Sequence, residues 1–97
     1  MTDFREFLRR EARLEILRIL AQLPGYRTNN AVLLGALREL GHNPSRDQLR
    51  AELQWLAEQG LIAVEELAPA MIATLLGRGA DVAEGRATVP GVQRPGA

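Results

Sequence analysis

The sequence predicts a mainly α-helical domain that carries a small β-hairpin. Apolar residues recur at steps of three and four through the first half of the chain, which is the spacing of amphipathic helices. A helix with a marked start and a glycine stop then leads directly into two strand-like segments. With 97 residues and 46% hydrophobic content, the chain can build one small core and no second one.

The first predicted helix covers Asp3 to Leu23 and ends at Pro24-Gly25. Phe7, Leu14 and Leu17 lie off its main apolar stripe, so the helix is apolar on more than one face. Either the last helix or a second subunit is expected to cover the additional face. The main stripe itself is formed by Phe4, Leu8, Ala12, Ile16, Ile19, Leu20 and Leu23.

The second and third helices are predicted to lie close together, joined by the short turn His42-Asn43-Pro44. An extended link at Tyr26 and Arg27 precedes the second helix, and Gly41 is placed to end it in a left-handed conformation. Its start can be capped by Thr28, Asn29 or Asn30, and its expected inward residues are Leu33, Leu37 and Leu40.

The third predicted helix has the best-marked boundaries in the chain. Ser45 and Gln48 have the spacing of a capping box, in which each side chain accepts a hydrogen bond from the other residue's backbone N–H. Gly60 is the expected stop. Trp55 is expected to pack under the hairpin or against the second helix rather than stack on bases. The expected inward residues are Leu49, Leu53 and Leu56.

The predicted hairpin pairs Leu61 to Leu67 with Met71 to Leu75 across the loop Ala68-Pro69-Ala70. A short fourth helix follows and ends at Gly85, with Leu76, Ala80, Val82 and Ala83 facing inward. The last ten residues contain two prolines and two glycines and little apolar content. We therefore place the domain at residues 1–86 and a flexible tail at residues 87–97.

This order of elements, with LQWLAEQGLI at the junction of third helix and hairpin, is typical of a winged helix-turn-helix, in which the hairpin is the wing. A narrower family resemblance rests on two longer segments of the sequence, PGYRTNNAVLLGALRELGHNPSRDQLRAELQWLAEQGLI and ATLLGRGADVAEGRATVPGVQRP. On them, the chain resembles the small ArsR-like winged-helix proteins of Mu-like transposable phages and prophages. The resemblance implies the fold and a phage setting, and it supplies no active site to transfer.

Charge is balanced over the whole chain but not along it. The twelve basic residues are all arginine and are matched by twelve acidic residues. Residues 45–85, however, hold three arginines and seven acids. Glu65 and Glu66 lie in the predicted wing, where proteins that contact phosphate usually carry cations. An acidic wing of this kind is better suited to a protein partner than to nucleic acid.

Base readout by the third helix is expected from its first turn and its outward side. Arg46 and Arg50 can contact guanine or phosphate, and Gln48 or Gln54 can pair with adenine. Arg27, before the second helix, completes the candidate set. The alternative is an ordinary solvated helix face with capping and intrahelical ion pairs. We predict a regulator that binds double-stranded DNA, with a winged-helix protein-interaction module as the alternative.

An apolar patch on the first helix predicts association. Its residues are Phe4, Phe7, Leu8, Leu14 and Leu17, and exposed patches of this kind mark interfaces. We expect a homodimer through this helix, with a phage protein as the other candidate partner. The opposing interpretation is that the last helix and the tail cover the patch.

The sequence does not support an enzyme, a metal-binding protein or a membrane-spanning protein. There is no cysteine, and the single histidine, His42, belongs to no metal-ligand cluster or catalytic set. The carboxylates are dispersed rather than paired for acid-base chemistry. Apolar runs are far shorter than the roughly 20 residues of a membrane span, and no signal peptide is recognisable. We expect a non-enzymatic protein of the bacterial cytoplasm that needs no cofactor, no metal and no membrane.

Overall fold

The computed structural model describes residues 3–96 and shows helices packed around a three-stranded antiparallel sheet. The predicted winged-helix order is confirmed, including the short strand before the second helix. The outermost parts of the predicted domain and tail, residues 1–2 and 97, lie outside the described residues. In chain order the elements are α1 (Phe4–Ala21), a 3-10 turn (Pro24–Tyr26), β1 (Arg27–Asn29), α2 (Asn30–Glu39), α3 (Arg46–Glu58), β2 (Ile62–Leu67), β3 (Ala70–Leu75) and α4 (Gly77–Ala83).

Helix α1 begins after Asp3, whose side chain accepts a hydrogen bond from the backbone N–H of Arg5 at 3.0 Å. Its buried residues start only at the third turn, where the helix meets α2, β3 and α4. The first two turns precede this contact region, so Phe4 and Leu8 of the predicted inward stripe are exposed. The buried side chains of α1 are Arg13, Leu14, Ile16, Leu17 and Leu20.

Helix α2 is capped by Asn29, whose side-chain oxygen accepts from the N–H of Val32 at 2.9 Å. Gly41 has a φ of +90°, and the N–H of His42 donates to the carbonyl of Leu37, which closes the helix as predicted. The prediction that Leu40 faces inward is wrong, because this residue is the C-cap and is 53% exposed. The buried residues of α2 are Leu33, Leu34 and Leu37.

Helix α3 has the predicted boundaries. Ser45 and Gln48 form both hydrogen bonds of the capping box, which satisfies N–H groups that have no partner within the helix. At the other end Gly60 has a φ of +76°, and the N–H of Leu61 donates to the carbonyl of Leu56 at 3.1 Å. The predicted inward residues Leu49, Leu53 and Leu56 are all buried.

The sheet has the strand order β1-β3-β2, with both pairings antiparallel. Residues of β3 alternate between the core and the other face of the sheet, as a strand with one buried face requires. The loop of the hairpin holds only Ala68 and Pro69, one residue fewer than predicted, because Ala70 pairs with Leu67. The core side of β3 is formed by Met71, Ala73 and Leu75.

Helix α4 packs against α1 and approaches the chain that follows α3 closely. A β-carbon at Gly79 would lie 2.1 Å from the carbonyl oxygen of Leu61, so this contact requires glycine. Val82 and Ala83 are buried as predicted, whereas Leu76 caps the helix and is exposed instead of facing inward. No helix within residues 3–96 combines the length and the apolar character needed to cross a bilayer.

Residues 87–96 pack on the domain, where the sequence predicts a flexible tail. Val89 and Val92 are 5% and 7% exposed and belong to the hydrophobic core. A turn in which the N–H of Val92 donates to the carbonyl of Val89 directs both side chains inward, and the N–H of Gln93 donates to the carbonyl of Arg10. Two valines thus anchor a segment whose average composition is that of a loop, and the domain extends beyond residue 86.

Candidate nucleic-acid interface

Helix α3 presents a polar face to solvent. The buried leucines hold the opposite side against the core, and α3 is the second helix of the helix-turn-helix unit, the one that enters the major groove in such motifs. Three of the predicted readout residues, Arg46, Gln48 and Gln54, are exposed on α3. The other exposed residues of the helix are Asp47, Ala51 and Glu58.

Gln48 is engaged in the capping box. Its Oε1 accepts from the N–H of Ser45 at 2.7 Å, and its own N–H donates to Ser45 Oγ at 3.1 Å. The side-chain NH2 group remains available as a donor. Bidentate pairing with adenine needs the oxygen as well, so Oε1 would have to accept from adenine and from Ser45 at the same time.

Arg50 connects α3 to the hairpin. Its Nη2 lies 3.1 and 2.9 Å from the two carboxylate oxygens of Glu66. The sequence predicts a free readout arginine and an unpaired acidic wing, and the structure brings these two opposite charges together. Partly exposed ion pairs of this kind contribute about 0–1 kcal/mol, so a phosphate group can compete for the arginine.

An open cleft of about 390 Å³ lies between α2, the start of α3 and the tip of the hairpin. Arg38 and Arg46 both line it, and both are exposed. Within residues 3–96 neither of them forms an ion pair, and no acidic residue lines the cleft. The sequence does not identify Arg38 as a site residue. Cations are common in the last turn of a helix because they stabilise the helix, so this position alone does not indicate a binding role.

Arg27 lies on β1 and does not line this cleft. It is exposed and pairs in register with Thr74 of β3. The predicted arginines therefore occupy three places: Arg27 lies at the sheet edge, Arg46 at the cleft, and Arg50 against the hairpin.

On another side of α3, a buried arginine joins three parts of the chain. Arg13 of α1 is 7% exposed, and its Nε lies 2.5 Å from Glu52 Oε2. Its Nη1 donates to the carbonyl of Gly91 at 2.9 Å, and its guanidinium carbon lies 3.9 Å from the ring centre of Trp55. Trp55 thus packs on α1 and the C-terminal segment, a contact that the sequence does not predict. No sequence pattern indicates this cluster, because Glu52 and Gly91 are 39 and 78 residues from Arg13.

Ion pairing changes the charge balance around α3. Residues 45–85 hold seven acidic residues. Four of them have an arginine partner: Glu52, Glu66, Asp81 and Glu84. In the described part of the chain, this leaves Asp47, Glu58 and Glu65 to face solvent without one. The helix and hairpin are thus less acidic toward a ligand than the linear sequence indicates.

The predicted dimer interface lies only partly on the surface. Leu14 and Leu17 are inside the core at 2% and 0% exposure, so including them in an interface is wrong. Phe4 is 68% exposed, and its ring stacks on Phe7 with centroids 6.1 Å apart. Leu8, one turn further, is also exposed. We refer to Phe4, Phe7 and Leu8 as the N-terminal patch.

The chain is similar in sequence to a protein of phage Mu and to a bacterial protein. The uncharacterized protein gp26 of Escherichia phage Mu is 47% identical to it over 90 residues, which are 93% of either chain. This chain belongs to the gp26 family. An uncharacterized protein of Haemophilus influenzae is 40% identical over 65 residues, 67% of this chain and 63% of the relative. The predicted resemblance to a Mu phage protein is confirmed, and no protein-family model matches the chain.

Solved structures of H. salinarum RosR have the same fold as this gp26-family chain. One matches with a TM-score of 0.66 at 21% identity, covering 75% of this chain and 66% of RosR. The complex designated RosR-S1 matches with a TM-score of 0.64 at 21% identity, over 87% of this chain and 67% of that one. The chain thus spans about two thirds of the RosR chains. At this identity the likeness establishes the winged-helix fold alone.

Proposed function

We propose that this gp26-family chain is a non-enzymatic protein that binds double-stranded DNA and regulates transcription in a Mu-like phage or prophage. The observation that carries the proposal is the exposed polar face of α3 beside a cleft that is lined by two arginines, neither of which has an ion-pair partner within residues 3–96. In helix-turn-helix proteins the second helix of the unit reads base edges in the major groove. Similarity to a Mu protein supports the phage setting.

The candidate residues have different roles in this proposal. Gln54 is exposed on α3 and can pair with adenine through both its amide oxygen and its NH2 group. Arg46, at the first position of α3, can reach guanine or phosphate. Gln48 and Arg50 position the helix start and the hairpin, and Arg27 contacts the DNA backbone.

Fluorescence anisotropy with labelled phage-derived duplexes tests DNA binding. Affinity should fall steeply between 50 and 200 mM salt, because each neutralised phosphate contributes about −0.9 to the slope of log K against log salt. Gln54→Ala should lose about 1–3 kcal/mol of discrimination at one base position. Gln22→Ala, which changes an exposed glutamine at the C-cap of α1, is the matched control and should bind as the unmodified protein does. Absence of binding at low salt would overturn the proposal.

A protein-interaction module is the second candidate function. It is favoured by the N-terminal patch, in which Phe4 and Leu8 are exposed and Phe7 is half-buried, and by Glu65, which leaves an acidic side chain on the hairpin. In this function the chain acts as a homodimer or as an adaptor in a phage complex. A chain that binds no duplex at low salt but self-associates through the patch would support it.

A further inference from the structure

We propose that the cleft between α2, α3 and the hairpin tip is a phosphate-binding site. Its ligand is a phosphate oxyanion, and Arg38 and Arg46 are the cations that bind it. The proposal rests on the proposed function for the source of the phosphate, which is then a phosphodiester group of the DNA backbone. A free phosphate ion has the same chemistry, and the salt dependence of DNA binding together with a phosphate titration separates the two sources.

The two arginines of the cleft differ from most other arginines of the chain. Six of the twelve have a carboxylate partner: Arg5, Arg9, Arg13, Arg18, Arg50 and Arg86. Arg38 and Arg46 come from different helices, line one cleft, and have no such partner within the described residues. Two guanidinium groups on a shared concave surface without a compensating acid attract an anion, and their planar forks suit phosphate oxygens.

The asparagines of the cleft add hydrogen-bond donors to the two arginines. The Oδ1 of Asn29 accepts from the N–H of Val32 at 2.9 Å, and the Oδ1 of Asn30 accepts from the N–H of Met71 at 3.0 Å. Each carbonyl oxygen therefore already accepts one hydrogen bond from a backbone N–H. The remaining polar group of each side chain is an NH2, which only donates. Together with the guanidinium groups, the side chains offer hydrogen-bond donors to a ligand that only accepts.

The shape of the cleft is fixed by packing. Leu34 of α2 and Leu49 of α3 both line it and are both buried, so the helices that carry the arginines are held together at its floor. Gly35 lies between them on the α2 side, exposed and with no atom within 4 Å of where a β-carbon would stand. Glycine weakens a helix interior, and here it leaves the α2 backbone open to close approach by a ligand.

Salt-dependent DNA binding of Arg38→Gln and Arg46→Gln tests the site. Loss of one phosphate contact should reduce the salt slope by about 0.9, so each variant should lose roughly 3.5-fold less affinity than the unmodified protein between 50 and 200 mM salt. The change should be the same on two unrelated duplexes, because phosphate contacts carry no sequence information. Arg78→Gln removes an exposed arginine of α4 that does not line the cleft and is the matched control.

The two substitutions also separate binding from stability. Arg38 lies in the last turn of α2, where a cation stabilises the helix, and Arg46 lies in the first turn of α3, where a cation destabilises it. Arg38→Gln should therefore lower the thermal midpoint and Arg46→Gln should raise it. Both substitutions should reduce the salt slope of DNA binding. If the unmodified protein binds DNA and both variants keep its slope, the phosphate site is overturned and the proposed function stands.

If the protein binds no DNA, a titration with inorganic phosphate at constant ionic strength tests whether the cleft binds a free phosphate ion. Binding is monitored by the chemical shifts of the backbone amides. Shifts at Asn30, Gly35 and Arg38 that are lost in the Arg38→Gln, Arg46→Gln double variant would support a site for free phosphate and overturn the proposed function. An unresponsive cleft in a chain that binds no DNA would overturn both.

Discussion

Arg13 is the residue that links the first helix, the third helix and the C-terminal segment. A buried guanidinium is unfavourable unless its charge is paired and its N–H groups are satisfied. Glu52 supplies the charge, the carbonyl of Gly91 accepts one N–H, and Trp55 covers the face of the group. Among the described residues, no buried side-chain polar atom lacks a partner. This cluster fixes α3 from the side that does not face the cleft.

Glu52→Gln should lower the free energy of unfolding by about 2–3 kcal/mol, because it leaves the Arg13 charge buried without a counter-charge. Glu15→Gln is the matched control, since it removes the acid of a more exposed pair with Arg18 on α1. That change should have an effect of at most about 1 kcal/mol. Urea denaturation of both variants measures the difference. Equal decreases in the free energy of unfolding would show that the buried pair stabilises the fold no more than the exposed pair does.

Two glycines in helices should respond to alanine in opposite ways. Gly35→Ala should raise the free energy of unfolding by about 0.5–1 kcal/mol, because the added methyl meets no atom within 4 Å and alanine favours the helix. Gly79→Ala should lower it by about 1–3 kcal/mol or more, because the methyl would overlap the carbonyl of Leu61. Thermal or urea unfolding decides the sign in each case. A destabilised Gly35→Ala variant would contradict the open environment of that position.

At the scale of elements, the predictions that succeed rest on local chemistry. The Ser45–Gln48 capping box and the left-handed stops at Gly41 and Gly60 involve neighbours in sequence, so the sequence contains all the information they need. The N-cap Asn29 is likewise one of three residues predicted from position alone. Helix boundaries could therefore be predicted closely before any packing was known.

The predictions that fail depend on which elements meet. Leu14 and Leu17 are core residues because α1 is contacted by α2, β3 and α4. The spacing of apolar residues along a helix does not show how many other elements pack against it. The Arg50–Glu66 pair requires the hairpin to lie beside α3. Val89 and Val92 require a core beneath them that only the fold provides. The site could be predicted as a helix face, but not as a cleft that brings together two arginines from different helices.

The C-terminal segment should protect the single tryptophan from water. Gly91 lies against the Trp55 ring, and a β-carbon there would be 2.8 Å from its Cη2 atom. Deleting residues 89–97 should therefore move tryptophan emission to longer wavelength and increase quenching by acrylamide. Deleting only residues 94–97, which leaves both buried valines, is the control and should change neither. Unchanged emission in the larger deletion would mean that Trp55 is shielded by other residues.

At the scale of the whole molecule, the charged and apolar surfaces lie on different elements. The cleft is formed by α2, α3 and the hairpin, whereas the N-terminal patch lies in the first two turns of α1. α1 is joined to α3 through the Arg13 cluster, so two chains paired through α1 would each hold one α3 in a defined orientation. Such pairing gives a two-fold arrangement of recognition helices, which suits a symmetric operator.

Phe4→Ser combined with Phe7→Ser should convert a homodimer into a monomer. Both side chains stand outside the core, so the substitution removes apolar contact area between chains while the fold remains intact. Light scattering should give twice the mass of one chain for the unmodified protein and the mass of one chain for the variant. Tyr26→Ser removes another exposed aromatic residue, distant in sequence from the patch, and should leave the dimer unchanged. A single-chain mass for the unmodified protein would rule out the dimer, and DNA binding by that monomer would then have to rely on one α3 and one cleft.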